Sequence, residues 1–453
     1  MKKLLGSTLA LAIFLPAAGH AEMLKNLKVG GSLEVNAVSA NNVTDFNTAK
    51  YDHVDTIQTR LMLNADWDLL DDVHAKVTLN KNNRTYGNAK GEDLNAIQTN
   101  VTAEQAYVKI DKLFGGLDTT LGRQFYGDPG DLVVYFGPRN DYGLTVTALD
   151  GGRFDWNGEK VGVTALVAKE AGASTLATGK DSGDKNLMGL VVHVKPMDSL
   201  SGGAYVYGQN TINSGSQANT GVIGNDHLYI AGLKAKLAMG GAWVAAEIAK
   251  DFGDNRTVTT NGAYTFAGNY TGWAGKLDAG YKADLQDIGA LAGWGEIGVG
   301  SGGQTANRNF TAIAGDYRPG GIYGRFWSGA NTTKLGNGSL GNLDNGTLSN
   351  RVIVGVGVKA TPAALSKLTA GLSWWNYRAQ NESALNNGAG LPGPQGNVFL
   401  GNEYDLDLTW KHSENVSVSA GVGDLQPGRA VIASNGPAVS PATLCYADFA
   451  IKF

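Results

Sequence analysis

Cysteine is almost absent: Cys445 is the single one among 453 residues, so no disulfide can form within the chain. Proline is scarce, at 11 residues, and no proline-rich linker divides the sequence into domains. Beyond the N-terminal stretch no apolar run approaches the roughly 18 residues a membrane helix requires. The formal charge of -4 gives no sign of a nucleic-acid partner. Catalytic signatures are missing too, with no G-x-S-x-G elbow and no H-E-x-x-H. Past His20, the histidines His53, His74, His193, His227 and His412 are scattered over different segments. Asp128 and Asp131 do not sit in an EF-hand spacing, so no metal, no cofactor and no catalytic residue is expected.

What is present is glycine, 64 residues of it, with 17 Tyr and 9 Trp. Met1-Lys2-Lys3, an apolar Leu4 to Leu15 and Gly19-His20-Ala21 read as a secretory signal peptide over 1–21, with one domain over 22–453. No cysteine follows the cleavage site, so no lipid anchor is implied, and nothing like a globular plug precedes the first strand. At the other end, Ala447, Phe449, Ile451 and Phe453 share one face of an alternating segment that stops on an aromatic. That ending resembles the closing strand of bacterial outer-membrane β-barrels, and the resemblance implies that Phe453 addresses the barrel-assembly machinery.

Alternating segments recur at roughly 27–39, 53–67, 73–83, 100–111, 117–125, 144–156, 160–169, 185–195, 201–210, 226–238, 241–252, 268–284, 289–301, 350–361, 366–378, 402–413, 415–425 and 443–453, about eighteen in all. The connections between them alternate short and long, for example 68–72 then 84–99, and 362–365 then 379–401. A soluble β-sandwich also has period two. Leader, terminal aromatic, strand length and loop rhythm together favour an all-β fold: a transmembrane antiparallel up-and-down β-barrel of about 18 strands in a Gram-negative-type outer membrane, among lipid and lipopolysaccharide.

In such a barrel the apolar face looks at lipid and the polar face lines the interior. Parity sends Ile57, Leu61 and Leu63 outward and Gln58, Arg60 and Asn64 inward; Lys76, Lys109 and Arg153 follow on neighbouring segments, making a basic arc with Arg60. Later segments face Lys234, Lys236, Glu247, Lys276, Asp278, Lys282, Lys359, Glu403, Asp405, Asp407 and Asp448 inward, a mixture of both signs. Such charges either pair across the lumen and brace the wall or form an anion pathway. Trp67, Trp156, Trp243, Trp273, Tyr281, Trp374, Tyr404 and Trp410 fall near segment ends, as interfacial girdles do, whereas Trp375 and Tyr377 point inward and are alternatively surfaces for stacking sugars.

One stretch carries a family resemblance. Glu104-Gln105-Ala106-Tyr107-Val108, then Gly122-Arg123-Gln124 with Tyr126-Gly127-Asp128, then Gly151-Gly152-Arg153, resembles the alginate-export family of outer-membrane porins. The resemblance implies eighteen strands and an arginine-lined lumen for polyuronates, with Arg123 and Arg153 as pore residues. Parity sets Arg123 beside Leu117, Thr119 and Leu121 on the lipid face, and a bulge at Gly122 is what would turn it inward. Loop 126–143, with Leu132-Val133-Val134-Tyr135-Phe136 and Arg139, is too apolar for solvent and is expected to fold inward as a constriction; loop 302–349 is placed to cap the mouth. The expected function is a channel or exporter, not an enzyme, for hydrophilic and anionic solutes such as acidic sugars or polysaccharide, with Arg60, Lys76, Lys109, Arg123, Arg139 and Arg153 as the solute-facing cations. A general diffusion porin and a barrel enzyme are the alternatives.

Overall fold

The computed structural model describes residues 26–43, 46, 48, 53–81, 101–141, 143–172, 184–212, 225–258, 264–303, 306–327, 347–381, 398–430 and 439–453. The leader expected over 1–21 lies outside the described residues. In chain order the strands are β1 (Leu27–Asn41), β2 (Val54–Leu70), β3 (Val73–Lys81), β4 (Thr102–Leu113), β5 (Leu117–Gln124), β6 (Leu149–Asn157), β7 (Val161–Ala171), β8 (Lys185–Met197), β9 (Leu200–Ile212), β10 (Asn225–Met239), β11 (Ala242–Val258), β12 (Tyr264–Asn269), β13 (Trp273–Leu285), β14 (Gly289–Gly300), β15 (Arg351–Pro362), β16 (Leu368–Arg378), β17 (Phe399–Lys411), β18 (Val416–Pro427) and β19 (Ala442–Lys452).

Consecutive strands pair antiparallel, and β1 pairs both β2 and β19, so the sheet closes on itself and has no edge. At the seam the Gly31 N–H donates to the Phe453 carbonyl at 2.8 Å and the Phe453 N–H donates back at 3.0 Å. Gly31 is required there, since a Cβ would lie 2.4 Å from the Met62 carbonyl oxygen. β12 and β13 occupy one wall position in turn: the later part of β11 pairs β12 and its earlier part pairs β13. Nineteen strand segments therefore fill eighteen places. The continuous segment expected at 268–284 is broken because Thr271 turns its N–H to the Asn307 carbonyl at 2.8 Å, receiving a loop from inside. Residues 144–148, expected to open a strand, instead belong to a loop, where Arg139 and Thr147 make backbone bonds with Thr145 and Gly137.

Alternation sets the two faces. Leu63, Val108, Leu190, Leu233, Leu277, Val358 and Leu408 are exposed on the outside, where hydrocarbon replaces water, while Gln58, Thr78, Gln105, Thr164 and Gln209 are buried within. Trp67, Trp156, Trp273, Tyr281, Trp374, Tyr404 and Trp410 stand on the outer face as girdle residues should. Trp243 does not: it lies directly opposite Gly280 on the inner face, where the missing Cβ leaves room for its indole.

These faces make a direct expectation. Leu277→Arg, at mid-strand on the lipid side, should lower folding stability in vesicles by about 2–4 kcal/mol, read from urea-dependent folding; an unchanged midpoint would mean that this face does not meet hydrocarbon.

Candidate channel constriction

Among the described residues, two connections fold into the lumen. The first joins β5 to β6 and buries Leu132, Val133, Val134, Tyr135 and Phe136, the apolar run expected to fold inward. Burying each such side chain is worth about 1.5–3 kcal/mol, which favours an interior course. Tyr126 and Phe136 exchange backbone bonds at 2.8 and 2.7 Å, making a short hairpin whose tip turns at Gly127 and Gly130, both with positive φ (82° and 88°). The tip reaches the wall at β10 and β11: Asp131 pairs with Lys234 on β10, and the Leu132 N–H donates to Glu247 on β11 at 3.4 Å. Tyr205 on β9 donates its hydroxyl to the other Glu247 oxygen at 2.8 Å.

The second connection, between β14 and β15, enters alongside. Tyr135 N–H to the Ala314 carbonyl (2.8 Å), Ala314 N–H to the Val133 carbonyl (2.9 Å) and Asp316 N–H to the Asp131 carbonyl (2.8 Å) join the two loops edge to edge. The chain then runs to the late strands. There the Ile322 and Tyr323 N–H groups donate to the Glu403 carboxylate at 2.5 and 3.2 Å, the Gly321 N–H to Asp405 at 3.3 Å, and the Tyr377 hydroxyl to Glu403 at 2.8 Å. Gly320 has φ +78°, and a Cβ there would fall 2.2 Å from the Tyr377 hydroxyl, so only glycine allows this approach. A single π-helical turn, Tyr323–Trp327, ends the docking: Arg325 pairs with Asp448 on β19 at 2.6 Å and lies 4.0 Å over the Tyr446 ring. The two loops thus form a crossbeam moored to β9–β11 on one side and β16, β17 and β19 on the other.

Each cation singled out in the sequence has a carboxylate. Arg60 is buried, pairs with Glu34 and donates to the Arg139 carbonyl at 2.8 Å. Arg139 is buried as well, donating to the Gly315 and Tyr135 carbonyls at 2.8 and 2.9 Å and lying 3.6 Å from Asp316. These two arginines hold the crossbeam and have little surface left for a solute. Lys76 pairs with Asp66 at 2.9 Å and Lys109 with Asp111 at 2.6 Å. Arg153 pairs with Asp155 at 2.8 Å and remains 39% exposed in the lumen, over the Tyr126 ring. Arg123 stays on the outer face. The register from Arg123↔Ala106 through Gly122↔Tyr107 is unbroken, so the bulge at Gly122 that would turn it inward is absent and Arg123 bonds Asp150 at 2.8 Å beside Leu121. Position 122 requires glycine, since φ is +124° and a Cβ would lie 2.3 Å from the Ala106 carbonyl oxygen, but it does not re-aim its neighbour.

Burial within the crossbeam perturbs its ionisable groups. Burial raises the Asp131 carboxyl against the opposing pull of Lys234, lowers the Arg139 guanidinium, and pushes the Tyr135 hydroxyl up to about 12. Open lumen remains on the short-turn side of the beam. One cavity of about 850 Å³ is lined by Arg153, His193, Lys234, Lys236 and Lys276, and another of about 520 Å³ by Lys276, Trp294, Arg318, Lys359 and Asp407. Sequence reasoning placed most of these lysines inward. It did not find the role of Glu247, Glu403 and Asp405 as receivers of loop N–H groups, because their donors lie 80 to 115 residues away.

A closed eighteen-strand barrel with loops narrowing a polar lumen is an outer-membrane channel. The alginate-export family model matches residues 26–443, and the chain belongs to that family. No curated protein matches it. Among solved structures it is similar to Pseudomonas aeruginosa OccK11 (OpdR), with TM-score 0.53, 8% identity, and 94% and 96% of the two chains covered. It is similar too to the same organism's OccK2 (OpdF) in complex with glucuronate, with TM-score 0.53, 9% identity and coverage of 96% and 99%. OpdK, also from Pseudomonas aeruginosa, gives 0.50, 11%, 94% and 99%. At these identities the likeness is one of fold.

Arg139→Ala should release the crossbeam, since removing one partner of a buried pair costs about 3–5 kcal/mol locally. Larger and noisier single-channel conductance, with normal membrane insertion, is the expected result; parental conductance would show that the beam does not set the constriction.

Proposed function

We propose that the channel passes hydrophilic solutes with a preference for anions, acidic sugars among them. The observation that carries this reading is an imbalance in which charges the lumen leaves exposed. Inner-face carboxylates are largely consumed: Asp66 by Lys76, Asp155 by Arg153, Asp278 by Lys276, Glu403 by loop N–H groups and Asp448 by Arg325. Among the described residues, Lys236, Lys282 and Lys359 are exposed with no carboxylate at ion-pair distance; inner-face acids that likewise lack a cation, Asp251, Glu296, Glu403, Asp405 and Asp407 among them, are buried or half-buried and accept hydrogen bonds from loop N–H groups or tyrosine hydroxyls, while Asp284 stands exposed at the short-turn rim. Exposed lysines between low-dielectric walls attract anions. Of the cations first singled out, Arg153 is the one we retain as a lumen-facing contributor, with Lys76 and Lys109 as secondary ones. The glucuronate held by OccK2, a barrel of the same fold, supports an acidic sugar as cargo.

Under a potassium chloride gradient the parent should reverse on the anion-selective side, and Arg153→Gln with Lys236→Gln should move the reversal potential toward zero. A cation-selective parent would defeat the reading in favour of another solute class; an ideal zero would favour a general diffusion porin.

We further propose that Phe453, whose side chain is 59% exposed at the lipid side of the seam, is read by the assembly machinery. Removing it also deletes both backbone bonds to Gly31. Outer-membrane yield of the truncated chain should fall severalfold while Phe453→Tyr keeps it; equal yields for all three would sink the proposal.

A further inference from the structure

Trp375 and Tyr377, the inward aromatics weighed as alternative sugar surfaces, are both buried: Tyr377 stacks on Tyr323 at 4.3 Å, and Trp375 packs on Gly355, where a Cβ would come 2.3 Å from its ring. Among the described side chains, two other indoles stand on the inner face. Trp243, Gly280, Trp294 and Gly357 are direct cross-strand partners on β11, β13, β14 and β15, so they lie in one row on the inner face. A Cβ on Gly280 would come 2.8 Å from the Trp243 indole nitrogen, and one on Gly357 would come 2.5 Å from Trp294 Cε2. Each indole therefore lies down on a glycine, flat along the wall, with its second face toward the lumen. Trp294 borders the cavity of about 520 Å³, beside Trp375 at 5.2 Å between ring centres.

One pleat toward the short-turn end, about 7 Å along the strand, Lys282 and Lys359 flank Ala292 in the next inward row. Their backbones are two strand spacings apart, about 10 Å, and both side chains are exposed. We infer that this arrangement is a binding site at the short-turn entrance, the periplasmic side of such barrels, for a sugar ring carrying a carboxylate: the pyranose C–H face stacks on Trp294 or Trp243, and the carboxylate reaches Lys282 or Lys359. An indole face is electron-rich and attracts the polarised C–H bonds of a sugar's apolar face. The far face of a pyranose carries hydroxyls, and the cavity offers polar groups for them in Ser373, Asp407 and Lys276. A benzoate-like acid has no use for those groups and would expose its second apolar face to them. The stacking part stands on its own; only the lysine part rests on the anion reading above.

The test is current block in planar bilayers by a neutral glucose trisaccharide, a glucuronate-containing trisaccharide and benzoate. The full-length parent should be blocked by both sugars, more strongly by the acidic one, and little by benzoate. Trp243→Ala with Trp294→Ala should weaken block by both sugars about fivefold to tenfold, with the chloride reversal potential unmoved. Lys282→Gln with Lys359→Gln should weaken only the acidic sugar. Parental block in the tryptophan variant overturns the site, and stronger block by benzoate overturns its ligand class. A cation-selective parent that still shows tryptophan-dependent block by neutral sugar overturns the anion reading and leaves the stacking site standing. Should the alanine variant fail to assemble, Trp243→Leu with Trp294→Leu is used, together with acrylamide quenching of the parent: sugar that gives no protection overturns the site.

Discussion

Everything in this molecule depends on satisfying backbone hydrogen bonds where there is no water. In hydrocarbon each unpaired N–H or C=O costs several kcal/mol, so a sheet can cross only if its last strand meets its first. The β1–β19 pairing from Ser32↔Lys452 to Asn41↔Thr443 supplies that closure. Glycine takes part in it at Gly31, where two strands and the terminal phenyl ring crowd one position.

The same rule governs the interior. A loop that leaves water for the lumen brings orphan N–H groups with it, and they need acceptors. Glu247, Glu403 and Asp405 provide them, so carboxylates that would otherwise make the lumen acidic act as mooring points for the crossbeam. Arg60 and Arg139 do the converse, satisfying loop carbonyls from the cationic side. Structural demand on the inner-face charges therefore decides which of them remain to act on a solute. Those that remain are mainly lysines on β10, β13 and β15, away from the early strands where the arginines cluster.

Placement of the indoles follows from steric room. On the outer face an indole at a strand end reaches the headgroup layer. Inside, it needs a neighbour without a Cβ, and the cross-strand glycines Gly280 and Gly357 supply that room. Wall glycines thus do more than relieve curvature; they set which inner-face aromatics lie flat and open to the lumen.

Much of this was legible from residues alone. Period-two patterning is a local property, so strand positions, their two faces and the short-long loop rhythm followed from it, as did the inward course of Leu132–Phe136, too apolar for solvent. Residues 100–156 carried the family resemblance that the match over 26–443 then extended to the barrel. Pairing partners were not legible. Whether Arg60 meets a solute or Glu34, whether Arg123 turns at Gly122, and whether Trp243 faces lipid or Gly280 depend on register between strands and on loops arriving from 80 or more residues away. Alternation assigns a side chain to a face. Only closure of the barrel and entry of the two loops decide what that side chain finds when it gets there.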